Sequence, residues 1–181
     1  MNKLDTIRGS RACLSLTLVL ALSCTTTKEA DVLDRKTTPE VVSGVPEGTS
    51  EIRELKFHKL ASETGHDVLH LRGMLYAKNT TGSSTRITPC SGCVVRLTSP
   101  ADTTITANLT TTTDGYFEYT GKILPYTFTL AHAGMNPLVI EGVEFKKEGI
   151  TTLKIVQAMG ATPERFIVNR RGDDYTWTRV Q

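Results

Sequence analysis

From Asp67 onward, apolar and polar residues alternate in short runs separated by turn-forming residues. That is the period of β-strands with one buried face. Val68 to Tyr76 is the first run, and Gly73 inside it marks a bulge or a close approach of another element. Asn79 to Ser84 is polar and contains Gly, so it reads as a loop. Cys93 to Thr98 and Thr103 to Thr110 follow, divided by Ser99-Pro100-Ala101-Asp102. Asp114-Gly115 is the strongest turn signal in the chain, because Gly adopts positive φ at no steric cost. It predicts a tight hairpin into Tyr116 to Thr120, where Tyr116 and Glu118 face opposite to Phe117 and Tyr119. Tyr126 to Leu130 alternates again and stops at Ala133-Gly134; Leu138 to Phe145 and Ile150 to Val156 complete seven strands. Beyond Gly160, the runs Arg165 to Asn169 and Tyr175 to Arg179 predict a hairpin closed by residues 170–174. Glu51 to Leu60 fits either a strand or a short helix, and the alternation of Leu55 and Phe57 favours the strand.

The first 24 residues follow another logic. Lys3, Arg8 and Arg11 precede the apolar run Leu14 to Leu22, the order of a secretory signal. A membrane-spanning helix needs about 20 apolar residues, and this run is less than half of that. Ala21-Leu22-Ser23-Cys24 resembles the lipobox of bacterial lipoproteins, with Ala21 where Leu is usual. The resemblance implies that Cys24 becomes the first mature residue and carries lipid on its thiol and its amine. Two or more acyl chains anchor a protein stably. Thr25 stands where Asp would favour inner-membrane retention, so the implied destination is the outer membrane. Thr25 to Ser50 is rich in Thr, Pro, Gly and acidic residues without apolar periodicity. Such a stretch buries too little to offset its chain entropy and reads as a disordered tether reaching about 30 Å.

Composition narrows the class further. Threonine occupies 29 of 181 positions while aromatics make up 6%, which favours β structure over a helical bundle. Without residues 1–23 the chain has 18 basic and 18 acidic residues, so nothing in its net charge draws it to nucleic acid.

Three segments, Leu71 to Leu75, Pro89 to Leu97 and Thr112-Thr113-Asp114-Gly115-Tyr116-Phe117, resemble the carboxypeptidase regulatory-like domain in sequence and order. Tyr126 to Leu130, Gly134 and Val139 continue it, so the resemblance spans about residues 68 to 158. Lys122-Ile-Leu-Pro125 departs from the usual Pro-Gly turn, the loop before Pro89 is longer than typical, and Met135 replaces a frequent aromatic residue. The resemblance implies a transthyretin-like sandwich with no catalytic residues to carry over.

Cys90-Ser91-Gly92-Cys93 is the most chemical-looking motif. A disulfide needs Cα atoms about 4.4–6.8 Å apart, so the pair must sit on a turn, which Ser91-Gly92 can form. A local structural disulfide is the favoured reading; unpaired thiols, a redox pair and a zinc site are the alternatives. Redox pairs place the first cysteine at a helix N-terminus, whereas Val94-Val95 here continue as a strand. Structural zinc takes four ligands and there is no second cysteine pair, so no metal is expected. His66 and His70 have helical ligand spacing, but on a strand they lie about 13 Å apart; with His58 and His132 they read as scattered surface residues. Tyr116, Tyr119, Tyr126, Tyr175 and Trp177 fit a sandwich core better than a sugar-stacking platform. Arg171-Gly172-Asp173 matches an integrin-binding tripeptide, which a turn explains fully.

The expected fold is therefore all-β: a seven-stranded transthyretin-like β-sandwich over 67–160 with a C-terminal β-hairpin over 161–181. A signal peptide (1–23), a lipidated tether (24–50) and a leading segment (51–66) precede it. The expected role is a non-catalytic accessory or binding module of the bacterial cell envelope. It would be held to the membrane through Cys24, with an envelope protein or glycan as partner, and would need no cofactor. Two alternatives are a glycan-binding subunit of an outer-membrane uptake system and a periplasmic thiol-redox protein using Cys90 and Cys93.

Overall fold

The computed structural model describes residues 40–41, 48–60, 70–82, 84–146 and 149–180. The signal peptide, Cys24, His66 and most of the tether lie outside them. Within them are twelve strands: β1 (Glu40–Val41), β2 (Glu51–Lys59), β3 (Leu71–Thr81), β4 (Ser84–Pro89), β5 (Val94–Thr98), β6 (Thr106–Thr110), β7 (Tyr116–Tyr119), β8 (Pro125–Leu130), β9 (Leu138–Glu144), β10 (Gly149–Ala158), β11 (Glu164–Arg171) and β12 (Asp174–Val180). They form two six-stranded sheets. One runs β1-β4-β3-β10-β2 with β7 also on β3, the other β12-β11-β9-β8-β5-β6. Pairing is antiparallel except at β3–β10 and β9–β11. The sheets do not close into a barrel, and the fold is an all-β sandwich.

The core lies between the sheets. Leu71, Leu75, Leu153 and Ile155 from the first sheet meet Val95, Leu97, Phe128, Leu138, Ile140 and Phe166 from the second. Alternation produces these faces. On β8, Tyr126, Phe128 and Leu130 are buried while Pro125, Thr127 and Thr129 are partly exposed. β10 is buried almost throughout because it is flanked by β2 and β3. Its partly exposed Lys154 pairs with Glu54 of β2 at 3.6 Å on the outer face.

All seven strands read from the sequence are present, and the leading segment is a strand, β2. Three details differ. Asn79 to Ser84 is not a loop: β3 continues to Thr81, β4 starts at Ser84, and the two strands pair from Thr81↔Ser84 onward. Polar residues enter the strands there because cross-strand partners suit them, as with Thr80 and Thr85, whose hydroxyls lie 3.3 Å apart. The sandwich also begins before Glu51, within the stretch expected to be a disordered tether: β1 (Glu40–Val41) pairs with Arg86 and Ile87 of β4. Ser50 is fully buried, and its N–H donates to both Glu164 carboxylate oxygens at 2.9 and 3.0 Å.

The third difference concerns Asp114-Gly115. β6 pairs with β5 and β7 with β3, so these residues do not close a hairpin; they carry the chain from one sheet to the other. Gly115 has the expected positive φ, 79°. Tertiary pairing overrides the local turn preference because β3 offers β7 an edge. Leu71 to Met74 bond β7, and from Tyr76 onward the same edge bonds β4. At the junction, Leu75 N–H donates to Gly115 O at 2.9 Å and Leu75 O accepts from Cys90 N–H at 2.9 Å. On the same strand Gly73 faces Phe117, whose ring fills the space a side chain would need, which is the close approach expected there.

Candidate functional site

Two crossovers between the sheets run side by side at one end of the sandwich. Residues 90–93 lead from β4 to β5, and residues 111–115 lead from β6 to β7. Thr111 joins them. Its Oγ1 donates to Cys90 O at 2.5 Å and accepts from Cys93 N–H at 2.8 Å. Its N–H donates to Cys93 O at 2.9 Å, and its carbonyl accepts from Gly92 N–H at 3.1 Å. Gly92 takes φ 68°, which turns the chain within the loop. The turn brings the Cys90 and Cys93 Cα atoms to 5.8 Å and their sulfurs into disulfide contact. Both cysteines are buried, at 4% and 1% exposure, and belong to the core.

The structure adds a residue that spacing did not associate with this motif. β8 ends at Leu130, paired with Val95 next to the cysteine loop. The chain then turns at His132, whose carbonyl accepts from Met135 N–H at 3.1 Å, with Gly134 at φ 80°. One ligand atom from each of Cys90, Cys93 and exposed His132 lies within 4.8 Å of the others. His132 is 39 residues beyond Cys93 and no local pattern links them, so only the β5–β8 pairing reveals the cluster.

The other described histidines, His58 and His70, are engaged elsewhere. His58 Nε2 lies 3.1 Å from Thr152 Oγ1. His70, just before β3, accepts from Gly121 N–H through Nδ1 at 3.2 Å, and burial holds its pKa below 6.5. The aromatic residues are core. Tyr116, Tyr126 and Tyr175 are buried, and Tyr119 and Trp177 pack against the main cluster. Tyr126 stacks on Phe145 at 4.8 Å, and burial pushes its phenol pKa upward. Arg171-Gly172-Asp173 spans the turn of the β11–β12 hairpin, with Gly172 at φ 66° and Asp173 ion-paired to Lys146.

A second polar cluster also escaped the sequence reading. Glu164, at the start of β11, is 9% exposed and accepts from Ser50 N–H and from Asn136 Nδ2 at 3.1 Å. Asn136 Nδ2 also donates to Gly48 O at 2.8 Å, and Ser50 Oγ accepts from Ala158 N–H at 2.9 Å. Arg179 of β12 lies 3.6 Å from Glu164 and donates to Ser50 O. The group clamps the chain just before β2; its buried polar atoms satisfy one another, as burial requires. Comparison with protein-family models, curated proteins and solved structures returns no match for this chain.

Proposed function

We propose that this protein is a lipid-anchored accessory or binding module of the bacterial cell envelope, its sandwich similar to the carboxypeptidase regulatory-like domain and without a catalytic role. The observation that carries the reading is the disulfide contact of Cys90 and Cys93 within the core. Disulfides persist in oxidising compartments and are rare in the cytosol. That agrees with the secretory signal and the lipobox ending at Cys24, two features that lie far from the pair in sequence. The clamp on Ser50 supports an anchored architecture, because it fixes the chain just before β2 at one defined place on the sandwich. A partner protein or glycan in the envelope is the proposed ligand class, and the outer membrane the proposed location. Burial of three of the five tyrosine and tryptophan candidates favours the protein partner over stacked sugar.

Metabolic labelling with a clickable palmitate tests the anchor. We predict that the wild type is labelled, partitions into detergent and sediments with outer membranes, whereas Cys24→Ala is unlabelled. Equal labelling of the two chains would overturn the proposal.

A further inference from the structure

We propose that Cys90, Cys93 and His132 form a binding site for one thiophilic closed-shell metal ion, Cu⁺ or Zn²⁺, when the cysteines are in the dithiol form. The inference goes beyond the proposed anchoring and does not depend on it.

Three observations carry it. The donor set is two sulfurs and one imidazole, with ligand atoms within 4.8 Å of one another. Thiolate and imidazole together select Cu⁺ or Zn²⁺ over Mg²⁺ or Ca²⁺, which take oxygen ligands. With metal–sulfur bonds of about 2.3 Å and a metal–nitrogen bond of about 2.0–2.1 Å, trigonal ligands stand about 3.8–4.0 Å apart. The sulfurs need only separate from bonding contact, and the exposed His132 ring, whose ligand atom already lies within 4.8 Å of the sulfurs, needs to close by about 1 Å.

The loop is also held without its sulfur–sulfur bond. Four hydrogen bonds tie it to Thr111 and one ties Cys90 N–H to Leu75 O. The dithiol form therefore keeps both sulfurs on one side of a fixed turn, and a ligand set arranged in advance loses little freedom on binding. Finally, the surroundings are asymmetric. The two sulfurs are buried among core residues while His132 is exposed. An ion would sit with its sulfur side shielded and its histidine side open, so that Zn²⁺ could add a water as fourth ligand and Cu⁺ could remain three-coordinate.

The chemistry balances without an added reductant, because a newly made chain carries thiols. Binding forms two metal–sulfur bonds and one metal–nitrogen bond and releases the two thiol protons. The competing reaction is oxidation, in which a disulfide-bearing oxidant accepts two electrons and two protons and leaves the Cys90–Cys93 disulfide. The ion and the disulfide thus exclude one another.

The test uses the full chain in detergent with Cys13→Ser and Cys24→Ser, so that the only thiols are those of the site. The anaerobic dithiol form is titrated with Zn²⁺ and, separately, with Cu⁺, each against a chromogenic chelator. One equivalent of either ion should bind, and the disulfide form should bind none. Binding of one ion alone supports the site and identifies its metal. His132→Ala carries the decision because that exposed side chain is outside the core; it should weaken binding at least tenfold and leave the circular dichroism spectrum unchanged. Absence of stoichiometric binding by the dithiol form, or equal affinity in His132→Ala, would overturn the proposal.

Discussion

Gly115 occupies the place where two sheets exchange a strand, and replacing it separates two costs that usually occur together. Its φ of 79° is unfavourable for any residue with a Cβ. Its surroundings add a second penalty: a Cβ would fall on the Leu75 carbonyl oxygen and lie 3.3 Å from Cys90 N and Pro89 Cβ. Gly172, in the β11–β12 turn, shares the first cost only, with φ 66° and nothing within 4 Å of an added Cβ. Backbone strain of this kind costs about 1–3 kcal/mol. Relief of the unfolded chain's entropy returns roughly 0.4–1 kcal/mol to either Gly→Ala variant. Gly172→Ala should therefore lose about 1 kcal/mol net. At Gly115 the Leu75 carbonyl must move, which disturbs the bonds Leu75 N–H to Gly115 O and Cys90 N–H to Leu75 O. Each is worth about 0.5–1.5 kcal/mol, so Gly115→Ala should lose roughly 2–5 kcal/mol. For an ordered region of about 130 residues, 1 kcal/mol corresponds to about 3–5 °C in Tm. We predict a fall of about 6–25 °C for Gly115→Ala and about 3–5 °C for Gly172→Ala, read by thermal circular dichroism under one set of conditions. Gly142, with φ 82° and an added Cβ 2.5 Å from Val168 O, should behave as Gly115 does. Equal shifts at Gly115 and Gly172 would refute the close-approach argument even if both variants were destabilised.

Two further predictions concern buried polar groups. Glu164→Ala removes the acceptor for Ser50 N–H and a partner of Asn136 Nδ2, and should lower stability by about 2–3 kcal/mol in chemical denaturation; an unchanged midpoint would mean that Gly48 to Ser50 are not clamped. His70 is held below 6.5 by burial, so the unfolded chain takes up the proton first, and His70's contribution is complete above 6.5 and is lost as pH falls below it. The Tm difference between wild type and His70→Gln should shift against the wild type between neutral pH and about pH 5, and a constant difference would refute the assignment.

Local pattern was enough to find ten of the twelve strands; β1, of two residues, and β4, with a single buried apolar residue, gave no such pattern. Side chains alternate across a strand with a period of two residues, so Tyr126-Thr-Phe-Thr-Leu130 declares both its conformation and its buried face. The C-terminal hairpin was legible for the same reason, since Gly172 lies between two alternating runs that pair with each other. The cysteine turn could be read from two reactive residues three apart with a Gly between them. What remained hidden depends on which edges meet. The Asp114-Gly115 turn has the same local chemistry in a hairpin as in a crossover, and only the free edge of β3 decides between them. The parallel pairing of β3 with β10 joins segments some 80 residues apart, and its register comes from matching buried faces rather than from any turn. His132 reaches the cysteines through the β5–β8 pairing, and Ser50 reaches Glu164 across 114 positions. Side-chain alternation is a property of neighbouring residues, whereas strand partners are chosen by the area the whole chain can bury. Strands with a clear alternation could therefore be read one at a time, and the sites that lie between them could not.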